Sequence, residues 1–141
     1  MIWNRVPKFH REAALLADRH YSRRKPGTNQ FMPPGETIVL HIPGAVFGWW
    51  RPRPGIRAMN GLDGWTCTIF RNETRILSSV LILAAEQFIE RCGPDGLITY
   101  VHDRKVRSVN PGACFKAAGY SRTGRSKDGR KTLLQKPWRA S

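Results

Sequence analysis

The stretch "FRNETRILSS", residues 70–79, decides how this chain folds. Before it, "WTCTIF" (65–70) has the β-branched and aromatic composition of a strand. After it, "SSVLILAAEQFIERCG" is apolar on nearly every side over its first two turns, which predicts a centrally buried helix. Ser78 or Ser79 is placed to cap its start, and Gly93 to stop it. The connection carries three charged residues and neither glycine nor proline, so it is no ordinary tight turn. A strand running straight into a buried helix also makes a chemical site. The first helical N–H groups lack intrahelical acceptors and the dipole there is positive, so a phosphate is a favourable occupant. Arg75 offers a charged fork, and Ser78 and Ser79 offer hydroxyls. The plain alternative is that Ser78 only caps the helix while Arg75 points to water. Arg71, Asn72 and Glu73 stand where an open α/β sheet holds its ligands, and strand alternation puts Arg71 and Glu73 on one side.

Working outward, "KFHREAALLADRHYSRR" (8–24) reads as a short helix followed by a loop, with Phe9, Ala13, Leu16 and Ala17 at helical spacing. "KPGTNQFMPPG" (25–35) has too many breakers for an element. "ETIVLHIPGAVFGWW" (36–50) is two strands joined at Pro43-Gly44, and "RPRPGIRAMNGLDG" (51–64) is a loop. "GLITYVH" (96–102) is the next strand, and "NPGACFKAAGY" (110–120) a short helix from Pro111 to Gly119. "SRTGRSKDG" (121–129) reads as a loop before a last strand in "RKTLLQKPW". The order helix, hairpin, strand, helix, strand, helix, strand predicts one α/β domain over residues 1–141, a single mixed sheet with flanking helices and a parallel crossover around the central helix. Trp49 and Trp50 are adjacent strand residues and cannot both enter one core, so one of them faces a substrate cleft or a partner subunit. Core packing is otherwise the expected role of Trp49, Trp50 and Trp65, and His10 and His41 are read as structural.

Charge narrows the function. The chain has 24 Lys and Arg against 10 Asp and Glu, a net +14, and its pI is near 10.9. That balance points to a polyanion, most simply nucleic acid. It is uneven: residues 71–99 carry 3 basic and 4 acidic residues, whereas residues 100–141 carry 11 basic and 2 acidic. A basic C-terminal segment, about 121–141, serving solubility alone is the bland alternative. No run is long and apolar enough to span a bilayer, and the N-terminus has no signal-peptide pattern. Cys67, Cys92 and Cys114 sit in apolar surroundings and read as buried reduced thiols of a cytoplasmic protein. There is no HxxxH or CxxC spacing, so a metal is left unassigned.

Two resemblances follow from these residues. A strand, a phosphate-type turn, a central helix, a strand and an Asn-led helix ending in "KAAGY" together resemble the GCN5-related N-acetyltransferase fold. That resemblance implies acetyl-CoA or another CoA thioester as cofactor, held by Arg75, Ser78, Ser79 and Asn110. The usual turn of that fold reads Arg/Gln-x-x-Gly-x-Gly/Ala; this one, Arg75-x-x-Ser78-x-Val80, has the Arg and neither glycine. More narrowly, "ADRHYSRRKPGTNQFMPPG", "FRNETRILSSVLI" and "TYVHDRKVRSVNPGACFKAAGY" are similar to the phage Mom-type DNA modification proteins, over roughly residues 13–125. This implies modification of adenine N6 in double-stranded DNA with a carbamoylmethyl or acetamido-type group, protecting phage DNA from restriction inside a bacterial host cell.

The resemblance implies a reaction centre of His20, Tyr21, Ser22, Arg71, Asn72 and Glu73. His20 or Glu73 would accept a proton, and Tyr21 would stack on or hydrogen-bond to an extruded base. Arg23, Arg24 and Lys25, Arg104, Lys105 and Arg107, and Arg122, Arg125 and Lys127 would hold DNA phosphates. A homodimer would suit base flipping, though nothing in the residues demands one. A conventional N-acetyltransferase of a small-molecule or protein amine would need the same fold without the +14. A non-catalytic DNA-binding protein would explain the charge and leave the polar strand-end cluster without a role.

Overall fold

The structure is a computed structural model and describes residues 2–18, 31–56, 58, 61–102 and 112–139. The chain runs β1 (Asn4–Val6), α1 (Arg11–Asp18), β2 (Glu36–Ile42), β3 (Ala45–Arg51), β4 (Gly64–Asn72), α2 (Ser78–Glu86), β5 (Gly96–His102), α3 (Ala113–Ala117), β6 (Ser121–Arg125) and β7 (Lys131–Lys136). The strands form one mixed seven-stranded sheet in the order β1-β2-β3-β4-β5-β7-β6. Among the described residues only β4 and β5 pair in parallel, and α2 is the crossover between them, as the sequence predicts. The Pro43-Gly44 hairpin also forms, with Gly44 at a φ of +89° that a side chain would strain.

Alternation along β2 and β3 divides the core. Leu40, Phe47 and Trp49 face α2 and α3, meeting Leu81, Ile82 and Ala85 of α2 and Phe115 of α3. Val39 and Val46 face the other way, against Ala13 and Leu16 of α1. The His10 Nδ1 accepts the Ala13 N–H at 3.3 Å and so caps α1. Its ring lies 4.8 Å from that of the buried His41, whose Nε2 is 3.3 Å from Glu12 Oε2. Burial, and next the neighbouring His10, lowers the pKa of His41, with Glu12 opposing.

Three indoles hang α2 on the sheet. Trp3 donates to the Leu81 carbonyl at 2.8 Å, Trp49 to Ala85 at 3.0 Å, and Trp65 to Arg91 beyond the helix at 2.8 Å. The Trp49 bond accounts for a difference from the sequence reading, in which the helix ran on to Gly93. Gln87, Phe88 and Ile89 bond three residues back, to Ala84, Ala85 and Glu86. The Trp49 indole thus fills the Ala85 carbonyl that Ile89 would reach in a continuing α-helix, and α2 ends at Glu86. Trp50, on the opposite face, is half-buried and donates to the Pro34 carbonyl at 2.9 Å.

Five further differences from the sequence reading appear. Leu77, not Ser78 or Ser79, is the N-cap of α2, and no side chain caps it. The helix is not buried all round: Leu77, Val80 and Leu83 are 71%, 41% and 44% exposed, because sheet and α3 cover only one of its sides. Residues 121–125, read as loop, are the edge strand β6; both its sides meet water, so it has no apolar alternation to announce it. β1 was not foreseen, being too short for a pattern to show. Cys67 is buried, but Cys92 and Cys114 only partly.

Trp49→Phe keeps an aromatic ring but removes the indole donor and part of the packing, leaving the Ala85 carbonyl with the Phe88 N–H. We expect a loss of about 2 kcal/mol of stability, read as a lower urea midpoint at unchanged slope. An unchanged midpoint would show that the indole bond does not anchor the helix.

Candidate functional site

The sheet comes apart at the end toward which β4 and β5 run. Their parallel ladder joins Gly64–Gly96, Trp65–Leu97, Thr66–Ile98 and Cys67–Thr99, and then stops. β4 continues to Asn72 still paired with β3 (Asn72–Ala45), and β5 continues to His102 still paired with β7 (His102–Lys131). A wedge therefore opens between the two strands, with Cys67 and Thr99 at its root. A bulge at Thr68, where β4 slips one residue against β3, sits at the same level. On the α2 side a row of rings crosses the split: Phe47 to Phe70 at 5.3 Å, Phe70 to Phe115 at 6.0 Å, and Phe115 to Tyr120 at 5.2 Å, the last two edge-on.

The mouth of the wedge is the turn from β4 into α2, and Asn72 builds it. Its Oδ1 accepts from the Thr74 N–H (2.9 Å) and hydroxyl (2.6 Å), and its Nδ2 donates to the Ile76 carbonyl (2.8 Å) and to Ser78 Oγ (3.1 Å). The Thr74 hydroxyl also accepts the Ile76 N–H at 3.1 Å. Asn72 therefore belongs with the helix end of the turn, its amide filled by neighbours. The Glu73 N–H donates to the Gly44 carbonyl at 2.7 Å, tying the turn to the Pro43-Gly44 hairpin. Sequence reasoning missed that neighbour; the Pro-Gly pair signalled a turn but not where it would pack.

Arg71 and Glu73 do share a side, and Arg71 Nε donates to Glu73 Oε2 at 2.8 Å. Arg71 pairs with Val46, so this ion pair lies on the α1 face while Asn72 and Ser78 lie on the α2 face. At the start of α2, Val80 and Leu81 bond back to the Leu77 carbonyl, whereas the Ser78 and Ser79 N–H groups have no acceptor among the described residues. Two backbone donors thus face the mouth at the positive end of the helix. Ser78's hydroxyl is held by Asn72, Arg75 is exposed, and Ser79 is half-buried. The thiols of Cys67, Cys92 and Cys114 are all pushed up by burial and stay protonated at neutral pH, so none offers a thiolate.

The turn between β6 and β7 lies at the same end of the sheet, because Lys131 pairs with His102. Arg125 and Lys127 are exposed there together with Arg130, which sequence reasoning did not single out, while Arg122 is exposed further back on β6, opposite Leu134. His20, Tyr21, Ser22, Arg23, Arg24, Lys25, Arg104, Lys105, Arg107 and Asn110 lie outside the described residues. Among the described residues no three His, Cys, Asp or Glu side chains converge as a metal site, and no helix is long and apolar enough to cross a membrane. Comparison of the chain with protein-family models, curated proteins and solved structures finds no match.

Asn72→Ala removes all four side-chain bonds of the turn, and we expect it to cost about 2 kcal/mol in urea unfolding. Asn72→Asp keeps the acceptor for Thr74 and loses the donors, so its loss should be smaller. Equal stability of Asn72→Ala and the parent chain would contradict this role.

Proposed function

We propose that the chain is an acetyltransferase-like enzyme that binds duplex DNA and modifies adenine at its exocyclic amine, with a CoA thioester as donor. The fold reading is GCN5-related N-acetyltransferase-like and the setting is the cytoplasm of a bacterial host cell. One observation carries it: β4 parts from β5 beside a helix N-terminus that no side chain caps. A wedge between parallel strands takes an extended, amide-bearing arm by backbone hydrogen bonds, and an uncapped helix start takes a pyrophosphate. The missing turn glycines do not block this, since Ser78's hydroxyl is tied back to Asn72 and Val80 lies on the exposed side of α2.

A bound CoA thioester supplies an activated acyl carbon at the wedge. The chain's own residues do the rest. Ser78 and Ser79 N–H groups and Arg75 hold phosphate oxygens. Glu73, oriented by Arg71, would take the proton that the adenine amine loses on attack, while the thioester C–S bond breaks and CoA leaves as its thiol. The target base must leave the helical stack to reach that carboxylate. With its thiols protonated, the chain is suited to direct transfer to the amine without an acyl-cysteine. The net +14 supports a polyanionic substrate rather than a small amine.

Mass spectrometry of nucleosides from DNA co-expressed with the chain tests this. The expected result is an N6-acylated deoxyadenosine, reduced roughly a hundredfold by Glu73→Gln, whereas the mass of a carbamoylmethyl group would rule out simple transfer from the thioester carbonyl. Unmodified adenine alone, with parent and variant indistinguishable, would overturn the proposal.

A further inference from the structure

Residues read from sequence as a basic loop form a rigid ribbon instead. β6 pairs with β7 from Ser121–Gln135 to Arg125–Thr132, and the turn beyond is locked by its own side chains. The Ser126 N–H donates to the Lys131 carbonyl (3.0 Å), and the Lys131 N–H returns a bond to Ser126 Oγ (3.2 Å). Asp128 Oδ1 accepts from the Ser126 hydroxyl (2.7 Å) and the Arg130 N–H (3.0 Å), and Arg125 donates to the Gly129 carbonyl (3.1 Å). The single carboxylate of the turn is exposed, but these bonds hold it against Ser126 and the Arg130 N–H, and the cations around it outnumber it. Lys127 and Arg130 remain on the exposed tip and make no ion pair among the described residues.

Position gives this ribbon a use. β6 is one of the two edge strands of the sheet, and its turn projects at the end where the β4–β5 wedge opens. At the opposite end the charges are balanced: Arg51 pairs with Glu36 and Lys136 with Glu86, and Asp63 and Asp95 lie nearby. At the wedge end Arg71 is paired with Glu73, but Arg75 after β4 and Arg125, Lys127 and Arg130 on the ribbon, far apart in sequence, share one rim.

We propose that the β6–β7 ribbon docks in the major groove of B-form DNA, with Lys127 and Arg130 at its tip on the duplex, and so sets which base stands over the wedge. A two-stranded ribbon fits that groove, about 12 Å wide, whereas the deep, narrow major groove of A-form RNA excludes it. Where their ladders hold, β4 and β7 are two strand spacings apart, about 10 Å, and they are wider apart at the mouth, so the base presented to the wedge lies at least about three base-pair steps from the ribbon contact. This inference rests on duplex DNA being the substrate.

The test is binding of the full chain to a fluorescent 30-base-pair DNA duplex, followed by anisotropy across a salt series. The tip variant Lys127→Ala/Arg130→Ala is compared with Arg53→Ala/Arg139→Ala, which removes two exposed cations from the opposite end. The tip variant should lower the slope of log affinity against log salt by about two and weaken binding at least tenfold, with calorimetric acetyl-CoA binding unchanged. The control pair should shift the slope much less. Equal losses in both variants, no loss in the tip variant, no binding by the parent chain, or equal binding of an RNA duplex would each overturn the ribbon assignment. Loss of binding by the tip variant with no modified nucleoside would leave the ribbon standing and remove the enzymatic reading. A modified nucleoside with unaltered tip-variant binding would do the reverse.

Discussion

A row of aromatic rings holds this sheet together where its hydrogen bonds stop. Between β4 and β5 the ladder ends at Cys67–Thr99, and beyond it the two halves of the sheet are joined through Phe47, Phe70, Phe115 and Tyr120 under α2. Edge-on aromatic contacts and burial supply cohesion without needing the strands to stay in register. The backbone is thereby left to part on one side of a well-packed core. A wedge in a sheet would otherwise expose unpaired backbone at the cost of stability, so its persistence depends on this row.

The indoles complete the arrangement. Trp3, Trp49 and Trp65 donate from the sheet side to the crossover carbonyls, fixing both the height of α2 and the point where it stops. With the helix pinned from below, its N-terminus comes out at the mouth of the wedge rather than beside it. Asn72 then shapes the five residues between strand and helix, and Gly44 ties the same turn to the neighbouring hairpin. The donor end and the charged rim are consequences of one packing solution.

Much of this was legible in the residues. Pro43-Gly44 marked the hairpin, and the change of pattern at Ser78 marked a crossover helix; the parallel β4–β5 pair followed from both. The alternation argument placed Arg71 beside Glu73 and separated Trp49 from Trp50. What was not legible has physical causes. Edge strand β6 meets solvent on both sides and carries no hydrophobic period, and β1 is three residues long. The end of α2 is set by an indole from a strand 36 residues earlier, a tertiary override of local pattern. Asn72 looked like a ligand-facing polar residue because its partners, Thr74, Ile76 and Ser78, become neighbours only once the turn has formed. The split in the sheet has no sequence mark, since pairing is a property of two strands and not of either.

Hydrogen–deuterium exchange with and without saturating acetyl-CoA tests the central claim most directly, that the wedge and the start of α2 form one donor site. The account predicts slowed exchange at the amides of Ser78 and Ser79 and along residues 68–70 and 100–101, with β2 and β3 unchanged. Protection confined elsewhere, or no change on addition of acetyl-CoA, would contradict it.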